Sequence, residues 1–140
     1  MDIEVRKLRP EDAEAYVHFF DVTPHDDHIP DHTCYCANCA GIMFALPDLQ
    51  KAVSAPEEKV KAIYCFMIAE EYHRQGVARR LLQAVCEDAK KEGFDYVEAY
   101  PQKDSTNKYM QFMGFDELYK SEGFLHQEEV GDMFVVRKYL

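Results

Sequence analysis

A short glycine-containing turn, residues 73–78, is the segment of this 140-residue chain whose residue types most clearly suggest chemistry. The turn precedes a segment whose apolar side chains recur at helical spacing, namely Ala78, Leu81, Leu82, Val85 and Ala89. The first backbone N–H groups of a helix have no partner within it and lie at the positive end of its dipole. Gly76 would let a bulky phosphate group approach the main chain, and Arg74, Arg79 and Arg80 add positive charge. This segment, called the glycine turn below, therefore predicts a site for a phosphate-bearing ligand.

The surrounding pattern predicts the elements that position this turn. Residues 62–69 form a solid apolar run of the length of a buried strand, too short to span a membrane. Gly93 is expected to end the helix, and residues 95–101 read as a short strand that Pro101 ends. Residues 133–140 predict a terminal strand. The N-terminal segment alternates like a strand and leads to Pro10, a typical first residue of a helix.

The glycine turn resembles the acetyl-CoA pyrophosphate loop of GNAT-family N-acetyltransferases. The family pattern is Arg or Gln, two residues, Gly, any residue, then Gly or Ala, and here His73 stands in the first position. Residues 119–124 match the family's Tyr-x-x-x-Gly-Phe, and the order of elements over residues 60–140 matches as well. The Cys34-Tyr35-Cys36 element is similar to a bacterial subgroup of the family. The alternative for the turn alone is a plain strand–turn–helix connection.

The resemblance implies an α/β (α+β) fold, a mixed and mostly antiparallel central sheet flanked by helices, in a single domain over residues 1–140. The family places a second helix and a hairpin between the first helix and the strand at 62–69. Here only residues 41–46 look like a strand and residues 47–53 look helical, so we expect a shortened version of that region.

The activity that the resemblance implies is transfer of an acetyl group from acetyl-CoA to a primary amine by direct attack of the amine. A backbone N–H near the end of the strand at 62–69 would stabilise the oxyanion. The expected cofactor-binding residues are Met67, Ile68, His73, Arg74, Gln75, Gly76, Val77, Ala78, Arg79 and Asn107.

Two residues are predicted to move protons. The resemblance assigns protonation of the leaving thiolate to Tyr119, since a phenol is protonated at neutral pH. A core or capping tyrosine is the alternative. Glu98, on the strand expected to flank the acyl site, is our candidate for the general base, with a surface glutamate as the alternative. His73 and His126 are weaker candidates for the base.

The formal charge of −10 argues against a nucleic-acid partner. An acidic surface would attract a cationic small-molecule or peptide amine, although solubility explains the charge equally well. No run is long enough to cross a membrane, and the charged N-terminus does not resemble a signal peptide. We therefore expect a cytoplasmic protein without a membrane partner, and a homodimer is left open.

A second chemical cluster, called the cysteine cluster below, consists of His32, Cys34, Cys36 and Cys39. Its thiolates and imidazole could bind tetrahedral zinc, but no second Cys-x-x-Cys lies at zinc-finger spacing. Small apolar packing residues are the preferred explanation, with no metal bound. Two other functions stay open beside the enzyme: a non-catalytic acyl-CoA-binding or regulatory module, and a zinc- or redox-responsive protein that uses this cluster.

Overall fold

The computed structural model describes residues 2–22, 58–106 and 113–140, apart from the side chain of Phe20. The strand predicted at 41–46 and the helical segment predicted at 47–53 lie outside these residues. Three helices are described: α1 (Ala13–Val22), α2 (Val77–Lys91) and α3 (Asp116–Ser121). The four described strands are β1 (Val60–Ile63), β2 (Tyr96–Ala99), β3 (Leu125–Val130) and β4 (Met133–Tyr139). Short 3-10 turns, Pro10–Asp12 and Glu70–Tyr72, precede α1 and the glycine turn.

The four strands form one sheet in the order β1-β2-β4-β3. The β1–β2 pair is parallel, and the β2–β4 and β4–β3 pairs are antiparallel. The mixed, mostly antiparallel sheet that the sequence predicted is therefore confirmed. β3 was not predicted from the sequence. It joins β4 through the two-residue turn Gly131-Asp132, because Val130 pairs directly with Met133.

Successive residues of β2 serve the two faces of the sheet, as the period of a strand requires. Val97 and Ala99 are fully buried in the core cluster that also contains Leu82 of α2 and Tyr119 of α3. Glu98 alternates with these residues and therefore lies on the opposite face, where it is also buried. The sheet thus has an apolar face that packs on the helices and a second face that carries a buried charge.

The predicted strand at 62–69 needs a correction, because β1 begins two residues earlier and ends at Ile63. Its ladder with β2 stops at the Ile63–Ala99 pair, and residues 64–69 belong to no described strand. β2 pairs with β4 along its whole length, and the residues that follow β2 stay beside β4. The Phe134 N–H donates to the Pro101 carbonyl at 2.9 Å, so the chain beyond Ala99 stays with β4 while residues 64–69 lose their ladder partner.

The N-terminal segment also differs from the prediction. Residues 2–9 form no strand within the described part of the chain, although Pro10 does begin the helical segment as expected. The carboxylate of Asp12 accepts the Arg9 backbone N–H at 2.8 Å and is paired with Arg6, which ties the residues before the helix to its first turn.

Candidate functional site

The glycine turn has the backbone geometry of an open helix N-terminus. Gly76 lies in the left-handed region, at φ 83° and ψ 5°, immediately before α2. The first helical bond that involves the turn runs from the Arg80 N–H to the Gly76 carbonyl at 3.0 Å. Helix geometry therefore leaves the N–H groups of Val77, Ala78 and Arg79 without an intrahelical acceptor. These three donors, at the positive end of the α2 dipole, can bind an anion.

The space beside Gly76 suits a phosphate group. A β-carbon built on Gly76 would find no heavy atom within 4 Å. The surrounding protein therefore leaves enough room for a larger residue at this position. The positive φ accounts for part of the preference for glycine. The open volume accounts for the rest if a ligand fills it, and a phosphate bound to the helix N-terminus would do so. The residues of the turn thus fit the pyrophosphate of acetyl-CoA.

Two side chains of the turn brace its backbone. His73 donates from Nε2 to the Ile68 carbonyl at 2.7 Å, and Gln75 donates from Nε2 to the Glu71 carbonyl at 2.6 Å. Both side chains therefore satisfy carbonyl groups of the preceding segment. His73 thus provides a hydrogen-bond donor at the position where the family pattern has Gln or Arg.

The three arginines near the turn are not equivalent. Arg79 directs its guanidinium to the end of α3, with Nε 3.2 Å from Glu122 Oε1 and Nη2 3.2 Å from Ser121 Oγ. Arg80 donates to Gln83 Oε1 at 3.2 Å. Arg74 makes no ion pair with another residue in the described part of the chain and is exposed. Of the three, only Arg79 pairs with a carboxylate within the described residues, so the charges of Arg74 and Arg80 are not offset in this way there.

Met67 and Ile68 lie in residues 64–69, the segment that leads from β1 to the 3-10 turn before the glycine turn. The Ile68 carbonyl is held by His73, as described above. The segment therefore runs from the edge of the sheet to the glycine turn, along the route that the resemblance implies for the acyl-bearing arm of acetyl-CoA. Asn107, the other predicted cofactor residue, lies outside the described residues, as do all four residues of the cysteine cluster.

Tyr119 is fully buried and its hydroxyl donates to the Met113 carbonyl at 2.7 Å. Burial raises the pKa of this phenol above its ordinary value of 10.0. A β-carbon on Gly114 would come within 2.7 Å of the Tyr119 hydroxyl, so the hydroxyl packs directly against the Met113–Gly114 backbone. In this arrangement the hydroxyl fastens α3 to the chain before it, and its proton-donor role stays a prediction.

The motif Tyr-x-x-x-Gly-Phe has a structural explanation of its own. α3 ends with Gly123 at φ 87°, the Phe124 N–H donates to the Tyr119 carbonyl at 3.0 Å, and the Gly123 N–H donates to Lys120 at 3.1 Å. This is a Schellman motif, in which the residues at the Tyr and Phe positions normally contact each other. The rings of Tyr119 and Phe124 do so, with centroids 5.3 Å apart. The motif therefore defines a helix end whether or not Tyr119 takes part in catalysis.

Glu98 is fully buried, and both of its carboxylate oxygens have partners. Oε1 accepts the Tyr100 hydroxyl at 2.7 Å, and Oε2 accepts Nε of Arg137, the residue directly opposite on β4. To accept a proton from an amine, Glu98 would first have to release one of these donors. Its role as general base stays a prediction, and the surface location that we held as the alternative is wrong.

Arg137 and Tyr100 are site residues that the sequence reasoning missed. Glu98 and Tyr100 share a face of β2 by the two-residue period, and this much the sequence could have shown. Arg137 could not have been found without the β2–β4 register, because nothing in the sequence brings residue 137 opposite residue 98. His126, the weaker candidate for the base, donates to Asp116 Oδ1 at 2.7 Å and stacks on Phe134 with ring centroids 4.2 Å apart.

Two features are absent from the described part of the chain. Residues 2–22, 58–106 and 113–140 contain no group of three or more His, Cys, Asp or Glu side chains arranged to hold a metal ion. Among the helices described there, none is long and apolar enough to cross a membrane. The prediction of a metal-free cysteine cluster stays a prediction, since the residues of the cluster lie outside the described part of the chain.

Comparison with known proteins identifies the class. The model of the acetyltransferase (GNAT) family matches residues 6–115, a span that includes the glycine turn and Glu98 and ends before Tyr119. The chain therefore belongs to the GNAT family, and acetyl transfer is the class of activity that this membership supports. No curated protein and no solved structure matches the chain. The resemblance to the GNAT family and the fold class that the sequence predicted are thereby confirmed, whereas the likeness of Cys34-Tyr35-Cys36 to a bacterial subgroup stays a prediction.

Proposed function

We propose that this protein is an acetyl-CoA-dependent N-acetyltransferase that acetylates a primary amine. The observation that carries the proposal is the glycine turn. It combines three N–H donors at the start of α2 with open space beside Gly76. Family membership supports acetyl transfer in general, and the turn supports a donor that carries phosphate groups.

In the proposed complex, the N–H groups of residues 77–79 and the Arg74 guanidinium bind the pyrophosphate. Residues 64–69 bind the arm that bears the acetyl group, because they connect the glycine turn to the edge of the sheet and are outside the β1–β2 ladder. The bound thioester supplies an acyl group that is already activated toward amines. The task of the protein is therefore to align the amine and the thioester, for which orientation alone provides a large part of the rate.

The two residues predicted to move protons enter the proposal unequally. Glu98 already accepts hydrogen bonds from Tyr100 and Arg137, so we propose that the proton of the amine leaves through water and not to Glu98. Tyr119 stays the proposed proton donor to the leaving thiolate. For this role its hydroxyl has to turn from the Met113 carbonyl, and the raised pKa of the buried phenol makes it a weaker acid than an exposed tyrosine.

The acceptor that we propose is a cationic amine, free or on a peptide. The net charge of −10 favours the approach of a cation over that of an anionic substrate. We also propose that the enzyme works in the cytoplasm, where acetyl-CoA is available to it. The described residues offer nothing that favours the zinc or redox alternative over the acetyltransferase.

Calorimetric titration tests the role of the glycine turn in this proposal. Acetyl-CoA and S-acetylpantetheine carry the same thioester, but only acetyl-CoA carries the pyrophosphate. We expect saturable binding of acetyl-CoA and a much weaker interaction with S-acetylpantetheine. Equal affinity for the two compounds would show that the phosphates are not recognised. No binding of acetyl-CoA would overturn the proposed function.

A further inference from the structure

Several contacts hold the sheet together where the β1–β2 ladder ends. The ladder stops at the Ile63–Ala99 pair, and the chain beyond Ala99 continues along β4. The N–H of Lys103 donates to the Asp132 carbonyl at 2.8 Å there, which keeps this extension of β2 in place. The segments that follow β1 and β2 therefore separate because residues 64–69 leave the sheet. The segment after β2 stays in place through its hydrogen bonds beside β4.

A pair of tyrosines occupies the next position of the interrupted ladder. Tyr64 follows Ile63 and Tyr100 follows Ala99, so the parallel register would place the two residues opposite each other. Their rings are stacked, with centroids 5.6 Å apart and an interplanar angle of 21°. The stack fixes the distance between the segments after β1 and β2, at the point where backbone pairing no longer does so.

Glu98 fixes Tyr100 in this stack. The Tyr100 hydroxyl donates to Glu98 Oε1 at 2.7 Å, and Tyr100 is almost completely buried. Burial and the neighbouring negative charge of Glu98 raise the pKa of Tyr100, so its hydroxyl stays protonated and continues to donate. Since phenol ring and hydroxyl move together, the carboxylate of Glu98 determines where the Tyr100 ring lies.

The position of Glu98 is in turn set from β4 and from the start of β1. Arg137 binds Glu98 across the antiparallel register, and its guanidinium carbon lies 4.7 Å from the centroid of the Tyr96 ring. The Tyr96 hydroxyl donates to Glu58 Oε2 at 2.8 Å, just before β1. A continuous chain of polar and ring contacts therefore crosses this face of the sheet, from Glu58, two residues before β1, to Tyr64, directly after it.

The far end of residues 64–69 is held as well. His73, in the glycine turn, donates to the Ile68 carbonyl at 2.7 Å. The segment is consequently fastened at its start by the tyrosine stack and at its end by the glycine turn. A shift at either end would change the path of the backbone between them.

We propose that Glu98 is a positioning residue that acts through Tyr100 and Tyr64 to set the path of residues 64–69 beside the acetyl group of the donor. This role deepens the function proposed above and rests on it for its catalytic part. In this role Glu98 stays buried and paired and holds Tyr100 in place, while water takes the proton from the amine.

Hydrogen–deuterium exchange of the amides at 65–69 tests the structural part without any substrate. Tyr100→Phe keeps the ring but removes the bond to Glu98, and Tyr64→Leu removes the stack, so both variants are expected to accelerate exchange in this segment. Tyr64→Phe keeps the ring and is expected to change exchange less than Tyr64→Leu does. Val85→Ala, which trims a side chain that packs on the helix-side core, controls for a general loss of stability.

Kinetics with acetyl-CoA and a reactive amine test the catalytic part. Misplacing residues 64–69 should lower kcat by about ten- to a hundredfold in Tyr100→Phe and Tyr64→Leu, while KM for acetyl-CoA changes little because the glycine turn is intact. Val85→Ala, the control for general stability, should retain activity. Glu98→Gln, if it folds, should lower kcat but keep the shape of the pH–rate profile. If Glu98 were instead the general base, this substitution would remove the ionisation of the base from the profile.

The outcomes separate this inference from the proposed function. Wild-type exchange at 65–69 in both Tyr100→Phe and Tyr64→Leu would overturn the inference, whatever the activity. Loss of one ionisation from the pH–rate profile in Glu98→Gln would also overturn it, in favour of Glu98 as the base. Accelerated exchange in these variants, together with a wild type that neither binds nor consumes acetyl-CoA, would support the structural part and overturn the proposed function.

Discussion

Gly76 offers the sharpest separation of ligand binding from folding. We consider two substitutions, Gly76→Asp and Gly76→Asn, which have nearly the same size and shape and differ in charge. Asn and Asp are the residues that best tolerate a left-handed backbone after glycine, and a β-carbon at this position meets no atom within 4 Å. A carboxylate at the start of α2 is also favoured by the helix dipole. Both variants are therefore expected to fold, and Gly76→Asp should be at least as stable as Gly76→Asn.

The expected loss of binding follows from the charge that the phosphates would meet. A carboxylate about 4 Å from one phosphate charge is repelled by about 1 kcal/mol in bulk water and about 4 kcal/mol at the effective dielectric constant of a protein surface. The turn is exposed, so values toward the lower limit apply to each charge, and the two phosphates add. We expect Gly76→Asp to bind CoA about ten- to a thousandfold more weakly than Gly76→Asn, since about 1.4 kcal/mol corresponds to a factor of ten. The difference should shrink as salt increases.

The assay is a calorimetric titration with CoA of the wild type and both variants, with thermal melts of the same samples. Weaker binding of Gly76→Asn than of the wild type would measure the added bulk, and the further loss in Gly76→Asp would measure the charge. Equal affinity of Gly76→Asn and Gly76→Asp at low salt would refute the assignment of the glycine turn to the phosphates. A lower melting temperature in Gly76→Asp alone would refute the argument from the helix dipole.

The remaining predictions concern Tyr119, Asp116 and the cysteine cluster. Tyr119→Phe leaves the buried Met113 carbonyl without its donor and should lower the free energy of unfolding by about 1–3 kcal/mol. If Tyr119 is also the proton donor, turnover should fall about a hundred- to ten-thousandfold with every amine, and turnover within a few-fold of wild type would leave it a structural role only. Burial by itself raises the pKa of the Asp116 carboxyl. The hydrogen bonds from Lys120 and His126 lower this pKa by more, so that overall it lies below 3.8. The stability advantage of wild type over Asp116→Asn should therefore be complete above pH 3.8 and disappear as the pH falls through the lowered pKa, and an advantage that persists at lower pH would contradict this. A chelator should leave the melting temperature unchanged, and a large drop would instead indicate structural zinc in the cysteine cluster.

Local sequence signals predicted the helical and turn elements well because their causes are local. The boundaries of α2 follow from Gly76, the apolar spacing and Gly93, all within one short segment. The extents of the strands depend on partners that are distant in sequence. β1 ends at Ile63, although the apolar run continues, because residues 64–69 leave the sheet while the chain beyond Ala99 stays beside β4. β3 was missed because its alternation is weak and five of its six residues are exposed.

The candidate site likewise has a part that local sequence predicts and a part that depends on residues distant in sequence. The glycine turn was predictable because the chemistry of a helix N-terminus is contained in a few consecutive residues. The environment of Glu98 was not, since the charge that pairs with it comes from Arg137 on another strand. Tyr119 shows a third case, in which a sequence motif is real but has two explanations. The Schellman motif at the end of α3 already explains Gly123 and the ring contact between Tyr119 and Phe124, so the sequence motif cannot by itself assign a catalytic role.

Transfer of an isotopically labelled acetyl group is the most direct measurement of the central claim. The protein is incubated with acetyl-CoA labelled in the acetyl group and a panel of primary amines, and mass spectrometry follows labelled N-acetyl product while a thiol reagent follows released CoA. We predict that at least one cationic amine acquires the label in step with CoA release, and that Gly76→Asp strongly lowers both signals at subsaturating acetyl-CoA while it stays folded. Release of CoA without labelled amine, or transfer that is unchanged in Gly76→Asp, would contradict the account.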